Sequence, residues 1–169
     1  FRSLPVKTTR DLIAYAKSKG DKSNMASAGV GSASHLAGLA FQSAAGFTSL
    51  HVPYKGGSQG VASVVSGETD WVLTPAPAAM SLVAGDRLRL LGHSMPVGAP
   101  GIGDAPALAN TVPGFEFAGW IGLLAPKGLS AVISSALAEA VQKALQAREV
   151  IQAFEVNGAV PSPSSAIEF

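Results

Sequence analysis

Apolar positions recur along this chain in short blocks divided by glycine, and the period of each block predicts its element. Between Thr8 and Gly20, apolar residues at helical spacing follow a threonine suited to capping, so a helix is expected there. Asn24 to Ser27 is a short apolar strand leading into Gly29-Val30-Gly31-Ser32. A second helix is expected after that turn, with Leu36, Leu39, Ala40 and Phe41 on one face. Leu50 to Tyr54 reads as a buried strand, and Lys55-Gly56-Gly57-Ser58 turns it into a third helix ending at Gly67. Asp70 to Leu73 is a further strand. Thr74-Pro75 then opens a helix, with Thr as cap and Pro at the first position, where its missing N–H costs nothing. Gly85 closes that helix, and Leu88 to Leu91 makes another strand.

Strand, glycine turn and helix thus follow one another three times. Such alternation implies an α/β fold, a mainly parallel sheet with helices on both faces. From Ser94 to Thr111 the chain is rich in Gly, Pro and Ala without a period, and reads as loop. Phe115 to Leu124 is apolar and long for one strand, which suits a crossing between two lobes. Ser130 to Gln146 is an amphipathic helix with Val132, Leu137, Val141 and Leu145 on one side; Arg148 to Val156 extends it or starts another.

The composition narrows the function. Hydrophobic residues make up 47% of the 169 positions and charged ones 14%, ample for a packed core. A formal net charge of +1, with no run of like charges, excludes a nucleic-acid binder, which needs a clustered basic surface. The apolar runs are short and broken by proline, so direct membrane insertion is not expected. The absence of cysteine removes disulfides, thiol catalysis and cysteine-based zinc sites. His35, His51 and His93 are not spaced as metal ligands and each reads as a structural histidine; no metal and no cofactor is implied. The chain opens on Phe1, and Ser165-Ala166-Ile167-Glu168 forms a capping-box pattern one residue before the end. A helix does not stand on one turn, so the chain is expected to be a piece of a longer protein.

In open parallel sheets ligands sit beyond the carboxyl ends of the strands. Three turns deliver helix N-termini to that edge: 29–34, 55–58 and Thr74-Pro75. Their unpaired N–H groups and positive dipole ends suit an anion. Ser32, Ser34, Ser58 and Thr74 add hydroxyls, and no Asp or Glu lies between Asp21 and Glu68. The competing reading of each turn is an ordinary strand–helix connection whose hydroxyl only caps its helix. Gly29-Val30-Gly31 lacks the third glycine and the later acidic residue of a dinucleotide fingerprint, and no Walker loop occurs. Gly56-Gly57-Ser58-Gln59-Gly60 does match a nucleophile elbow, with Asp70 or Asp86 and then His93 in triad order. A serine hydrolase using Ser58 is therefore the alternative to an anion receptor.

Several of these runs carry a family resemblance. Ala28-Gly29-Val30-Gly31-Ser32-Ala33-Ser34-His35-Leu36-Ala37-Gly38, His51-Val52-Pro53-Tyr54-Lys55-Gly56, Gly114-Phe115 and Trp120-Ile121-Gly122-Leu123-Leu124-Ala125-Pro126 resemble tripartite tricarboxylate transporter receptors, the Bug-type extracytoplasmic solute receptors. The resemblance runs from Leu4-Pro5 to the last helix start. It implies a periplasmic binding protein fold of type II, two lobes closing on a small carboxylate, with delivery to the membrane subunits of a transporter and no catalysis. It places Gly29, Gly31, Ser32 and Ser34 in the cleft, together with Tyr54, Lys55, Gly56 and Ser58. Lys55 ranks lower, since its stem can pack while its ammonium points away. It also implies that residues 1–114 form the second lobe, and that 115–169 return to a first lobe most of which precedes Phe1. The Asp-Asn-like pair common in the family after the third strand is replaced here by Thr74-Pro75, and loss of that acidic group shifts the expected ligand from amino-acid-like molecules to simpler acids.

Overall fold

A computed structural model describes residues 4–95, 101–165 and 167–168 of the chain. Helix α1 (Thr9–Lys19) starts at a full capping box. Thr8 accepts the Asp11 amide, and the Asp11 carboxylate takes the amides of Lys7 and Thr8. Those amide bonds, led by Lys7, hold the exposed Asp11 carboxyl below its ordinary pKa. Strand β1 (Asn24–Ser27) follows, then α2 (Ala33–Ala45), β2 (Leu50–Pro53), α3 (Gly57–Ser66) and β3 (Trp71–Val72). All three strands are parallel in the order β2-β1-β3, so β1 is central.

The two sheet faces are covered by different helices. Met25 and Trp71 sit in register and join Leu12 and Ala16 of α1 and Phe41 of α2 in one buried cluster. Ala26, whose side chain alternates to the other face, faces Gly60 of α3. Phe41 is the centre of the aromatic core. Its ring lies 5.6 Å from Phe47, 6.0 Å from Trp71 and 5.3 Å from Phe115, each edge-on. Burial of such a side chain stabilises by about 1.5–3 kcal/mol, and each edge-on pair adds about 0.5–1.5 kcal/mol. The starts of β1 and β3 are clamped through Asp70, whose carboxylate accepts the Asn24 amide at 2.9 Å and the Tyr15 hydroxyl at 3.1 Å. Burial, then the Asp70 charge, raises the Tyr15 pKa.

Several expectations need correction. In α2 the buried residues are Ser34, Ala37, Gly38, Phe41 and Gln42, while Leu36 and Leu39 are exposed. Small residues win that face because α2 lies close to the sheet: the Met25 thioether occupies the space where a Cβ on Gly38 would stand. β2 is an edge strand, half-exposed rather than buried. Thr74 caps nothing; a 3-10 turn (Ala76–Ala78) and the five-residue α4 (Met80–Ala84) follow, closed at Gly85 as expected. The segment 88–91 is not a strand. Its carbonyl at Leu91 is taken by the Thr9 hydroxyl, and among the described residues an isolated bridge joins His93 to Ala107.

Residues 115–126 form no strand either. Phe115 plugs the core and Phe117 is tied to Ser94 by two hydrogen bonds, but Trp120, Ile121, Leu123 and Leu124 are exposed. Two separate helices follow, α5 (Ala131–Gln146), capped by Ser130, and α6 (Arg148–Val156). No residue of either is fully buried; Val141 and Leu145 are half-covered, whereas Val132 and Leu137 are exposed. After α6, Gly158 sits against Ile102, Ala76 and Met80. Ser165 and Glu168 make the reciprocal capping bonds at 2.8 and 3.3 Å.

Candidate functional site

All three turns emerge at the carboxyl edge of the sheet, after Ser27, Pro53 and Val72. Two close approaches link them. A Cβ on Gly29 would stand 3.2 Å from the Tyr54 carbonyl, so the first turn presses on the second. Gly29 also has φ of +124°, a conformation that side chains other than glycine rarely adopt. A Cβ on Gly57 would stand 3.6 Å from Thr74 Oγ1, so the second turn meets the third.

In the first turn most donors are already used. The Ala28 amide donates to Ser34 Oγ at 2.9 Å, the Gly29 amide to Ser27 Oγ at 3.1 Å, and the Gly31 amide to His35 Nδ1 at 3.1 Å. Ser32 donates its proton to the Gly29 carbonyl at 2.7 Å and accepts the His35 amide as N-cap. Ser34 is buried and lies 3.1 Å from Ser32 Oγ. Ser32 and Ser34 therefore hold the turn's shape in this arrangement. Among the described residues the amides of Val30, Ala33 and Ser34 make no hydrogen bond.

The second turn is the reverse case. α3 begins at Gly56 without any side-chain cap, and the amides of Gly57, Ser58 and Gln59 have no partner among the described residues. A helix N-terminus with unpaired donors is where an anion is most stabilised. Ser58 is exposed beside them. Thr74 adds a hydroxyl that is buried and without a hydrogen-bond partner. Such an atom costs about 1–3 kcal/mol when left unsatisfied, which marks this hydroxyl as a group still lacking its partner.

Tyr54 and Lys55 turn their side chains away from the free amides. The Tyr54 side chain lies along α3 in a surface groove shared with Gln59, Ser63 and Glu68. Its hydroxyl is buried, and burial raises its pKa. Tyr54 contributes its backbone to the edge and its phenol to packing. Lys55 is exposed and its amide bonds Gln59 Oε1 at 3.2 Å, which leaves its ammonium as a peripheral charge.

The hydrolase alternative fails on geometry. Ser58 makes no hydrogen bond to an imidazole. His51 Nε2 is engaged by Ser27 and His35 Nδ1 by Gly31, while His93 Nδ1 is buried without a partner, so no carboxylate orients it. Asp70 is spent on Tyr15 and Asn24. A triad needs base and orienting acid in contact. What the sequence reading missed is the network of Ser27, His35 and His51 behind the first turn. Its signal was present in the runs 32–38 and 51–56, where both histidines stand beside the turns. No cluster of three metal-binding side chains occurs among the described residues.

Comparison with known proteins agrees with this picture. Residues 2–167 match the family model of the tripartite tricarboxylate transporter family receptor. A protein encoded between tcbD and tcbE in Pseudomonas sp. strain P51 is 32% identical over 149 residues, covering 87% of this chain and 44% of that relative. Among solved structures, R. palustris Rpa4515 with adipate superposes with a TM-score of 0.94 at 27% identity, covering 99% of this chain and 56% of that one. MatC from Rhodopseudomonas palustris with bound malate gives 0.87 at 27% identity, covering 96% and 56%. The chain spans about half the length of these relatives. The fold is accordingly the α/β fold of periplasmic binding proteins, with a parallel sheet and covering helices.

Proposed function

The chain belongs to the tripartite tricarboxylate transporter receptor family, and on that premise we propose that it is the ligand-holding lobe of a periplasmic receptor for small dicarboxylates, which it binds without chemical change. The observation that carries this reading is the uncapped N-terminus of α3, with three unpaired amides, set beside the unpartnered Thr74 hydroxyl. The amides offer donors only and the hydroxyl can donate its proton, and no acidic side chain stands between Asp21 and Glu68 to repel a carboxylate. The lack of an acidic group at Thr74-Pro75 also leaves an ammonium without a partner there, which favours simple acids over amino acids. Adipate and malate, bound in two structural neighbours, are such acids.

Residues 1–114 form the second lobe in this proposal, and 115–169 lead back to a first lobe that closes over the ligand. Closure excludes water and strengthens each amide–carboxylate bond. The bound receptor then docks on the membrane subunits of its transporter. No helix among the described residues is long and apolar enough to cross a membrane. No cofactor has a part.

The test is thermal unfolding of the intact receptor against mono-, di- and tricarboxylates and acidic amino acids, beginning with malate and adipate. A native-state ligand raises the midpoint in a saturable manner. Ser58→Ala is expected to weaken binding only several-fold, corresponding to about 0.5–1.5 kcal/mol for one hydrogen bond. A panel with no shift for any anion, or labelling of Ser58 by a serine-reactive probe, overturns the proposal.

A further inference from the structure

The first glycine turn is held from behind by two imidazoles. His35, in the first turn of α2, and His51, in β2, stack with ring centroids 3.8 Å apart and planes 16° from parallel. Each ring anchors one part of the turn. The Gly31 amide donates to His35 Nδ1 at 3.1 Å. His51 Nε2 lies 2.6 Å from Ser27 Oγ, and that hydroxyl accepts the Gly29 amide at 3.1 Å. Val30, whose amide is unpaired, stands between the two anchored glycines.

We infer that His35 and His51 are positioning residues for this turn, which keeps its ligand-receiving shape only while His35 is unprotonated at Nδ1. The inference rests on the receptor reading above and extends it: the unpaired amides of the first turn, Val30, Ala33 and Ser34, are taken to join those of α3 in receiving the carboxylate. An N–H can bond Nδ1 only through the nitrogen's lone pair. Neutral His35 therefore carries its proton on Nε2. A second proton must go to Nδ1, where it opposes the Gly31 N–H and releases that anchor. The face-to-face stack, with centroids 3.8 Å apart, also resists two imidazolium charges.

On the elements packed against the pair, among the described residues, no free carboxylate offsets that charge. α2 carries no ionisable group but His35, β2 none but His51, and β1 and residues 28–32 none. Lys55, just beyond β2, is exposed and adds only positive charge. On α1, over the same sheet face, Asp11 is spent on the amides of Lys7 and Thr8. Arg10, Lys17 and Lys19 of that helix are exposed. Tyr15 pairs with Asp70 beside Asn24, at the opposite end of β1 from Ser27. Burial and then the facing His35 lower the His51 pKa, in keeping with a pair that disfavours protons.

The experiment measures malate affinity of the intact receptor from about pH 8 to about pH 5, across the histidine range, for the wild type and for His35→Asn. The asparagine amide oxygen offers an acceptor near the Nδ1 position that does not titrate. Wild-type affinity is expected to weaken as pH falls, towards the limit of about tenfold per pH unit for one linked proton. His35→Asn should show only the profile of malate's own protonation, which both proteins share. Identical profiles for the two overturn the inference. A receptor that binds no carboxylate at any pH sinks the receptor reading instead, and NMR of the ligand-free wild type still decides the role of the histidines. Gly29 and Gly31 amide resonances that move with the imidazole titration support it; resonances indifferent to that titration overturn it.

Discussion

The region around β1 and the region around α5 are both rich in apolar side chains, yet they are organised in opposite ways. In the first, Met25, Phe41 and Trp71 are almost entirely enclosed, because α1 and α2 close on one sheet face and α3 on the other. In the second, α5 carries an equally clear apolar stripe, but Val132 is 80% exposed and Leu137 45%. Hydrophobic periodicity tells that a helix has a face to cover. It does not tell what covers it. The difference lies in the neighbours: β1 is flanked by β2 and β3 and covered on both faces by helices, whereas α5 meets chiefly α6.

The sharpest way to break the comparison is to empty the enclosed region. Phe41→Ala should cost about 3–5 kcal/mol, as a buried aromatic truncation does, read by urea unfolding with Trp71 fluorescence. A cost below 1 kcal/mol, by the same scale, would mean that the core is not centred on Phe41. Next comes over-filling. A Cβ on Gly60 would stand 3.2 Å from the Ser27 carbonyl oxygen, a backbone atom that cannot swing away. Gly60→Ala should cost about 1–3 kcal/mol, and an unchanged midpoint would show that α3 rides higher on the sheet.

The third effect is smaller and depends on pH. His51 has a lowered pKa, caused first by burial and then by His35. The unfolded chain binds this proton more readily than the folded one, so stability rises with pH across the window between the lowered value and the ordinary one, about 6.5. Melting curves should therefore show stability complete above that window and falling as the pH is lowered through it. His51→Asn should remove this slope; a slope that persists would assign it elsewhere. The smallest effect belongs to the open region. Leu137→Ala in this chain should change stability by no more than about 0.5 kcal/mol. A loss above 2 kcal/mol, typical of a core leucine, would show the α5 face to be packed and dissolve the contrast.

Where the sequence was legible, the signals were local. The Thr8 cap, the stops at Gly20 and Gly67, and the strands at Asn24–Ser27 and from Leu50 all follow from capping chemistry, glycine's access to positive φ, and short β-prone runs. Thr74 was misread as a cap because its spacing from Pro75 fits one, yet the chain takes a 3-10 turn and leaves the hydroxyl buried and unpaired. Leu36 and Leu39 were misplaced because Met25 packs onto α2 at Gly38, and the helix turns Ser34, Ala37, Phe41 and Gln42 inward with it. Of the candidate site, the three turns were legible. Which of their donors are free was not, since that depends on bonds spanning up to 24 residues, such as Ser27 to His51.

By itself the sequence determined the alternation of strands and helices, the parallel sheet that this imposes, and the three turns without an acidic side chain. These are consequences of local preference and of the short reach of a glycine turn. Only the tertiary structure decided that Ser32 and Ser34 are consumed in shaping the first turn, that Tyr54 points along α3, and that His35 lies on His51. Those outcomes depend on which side chains meet when β1, β2 and α2 pack, and a hydrogen-bond donor is free or spent only once its neighbours in space are known.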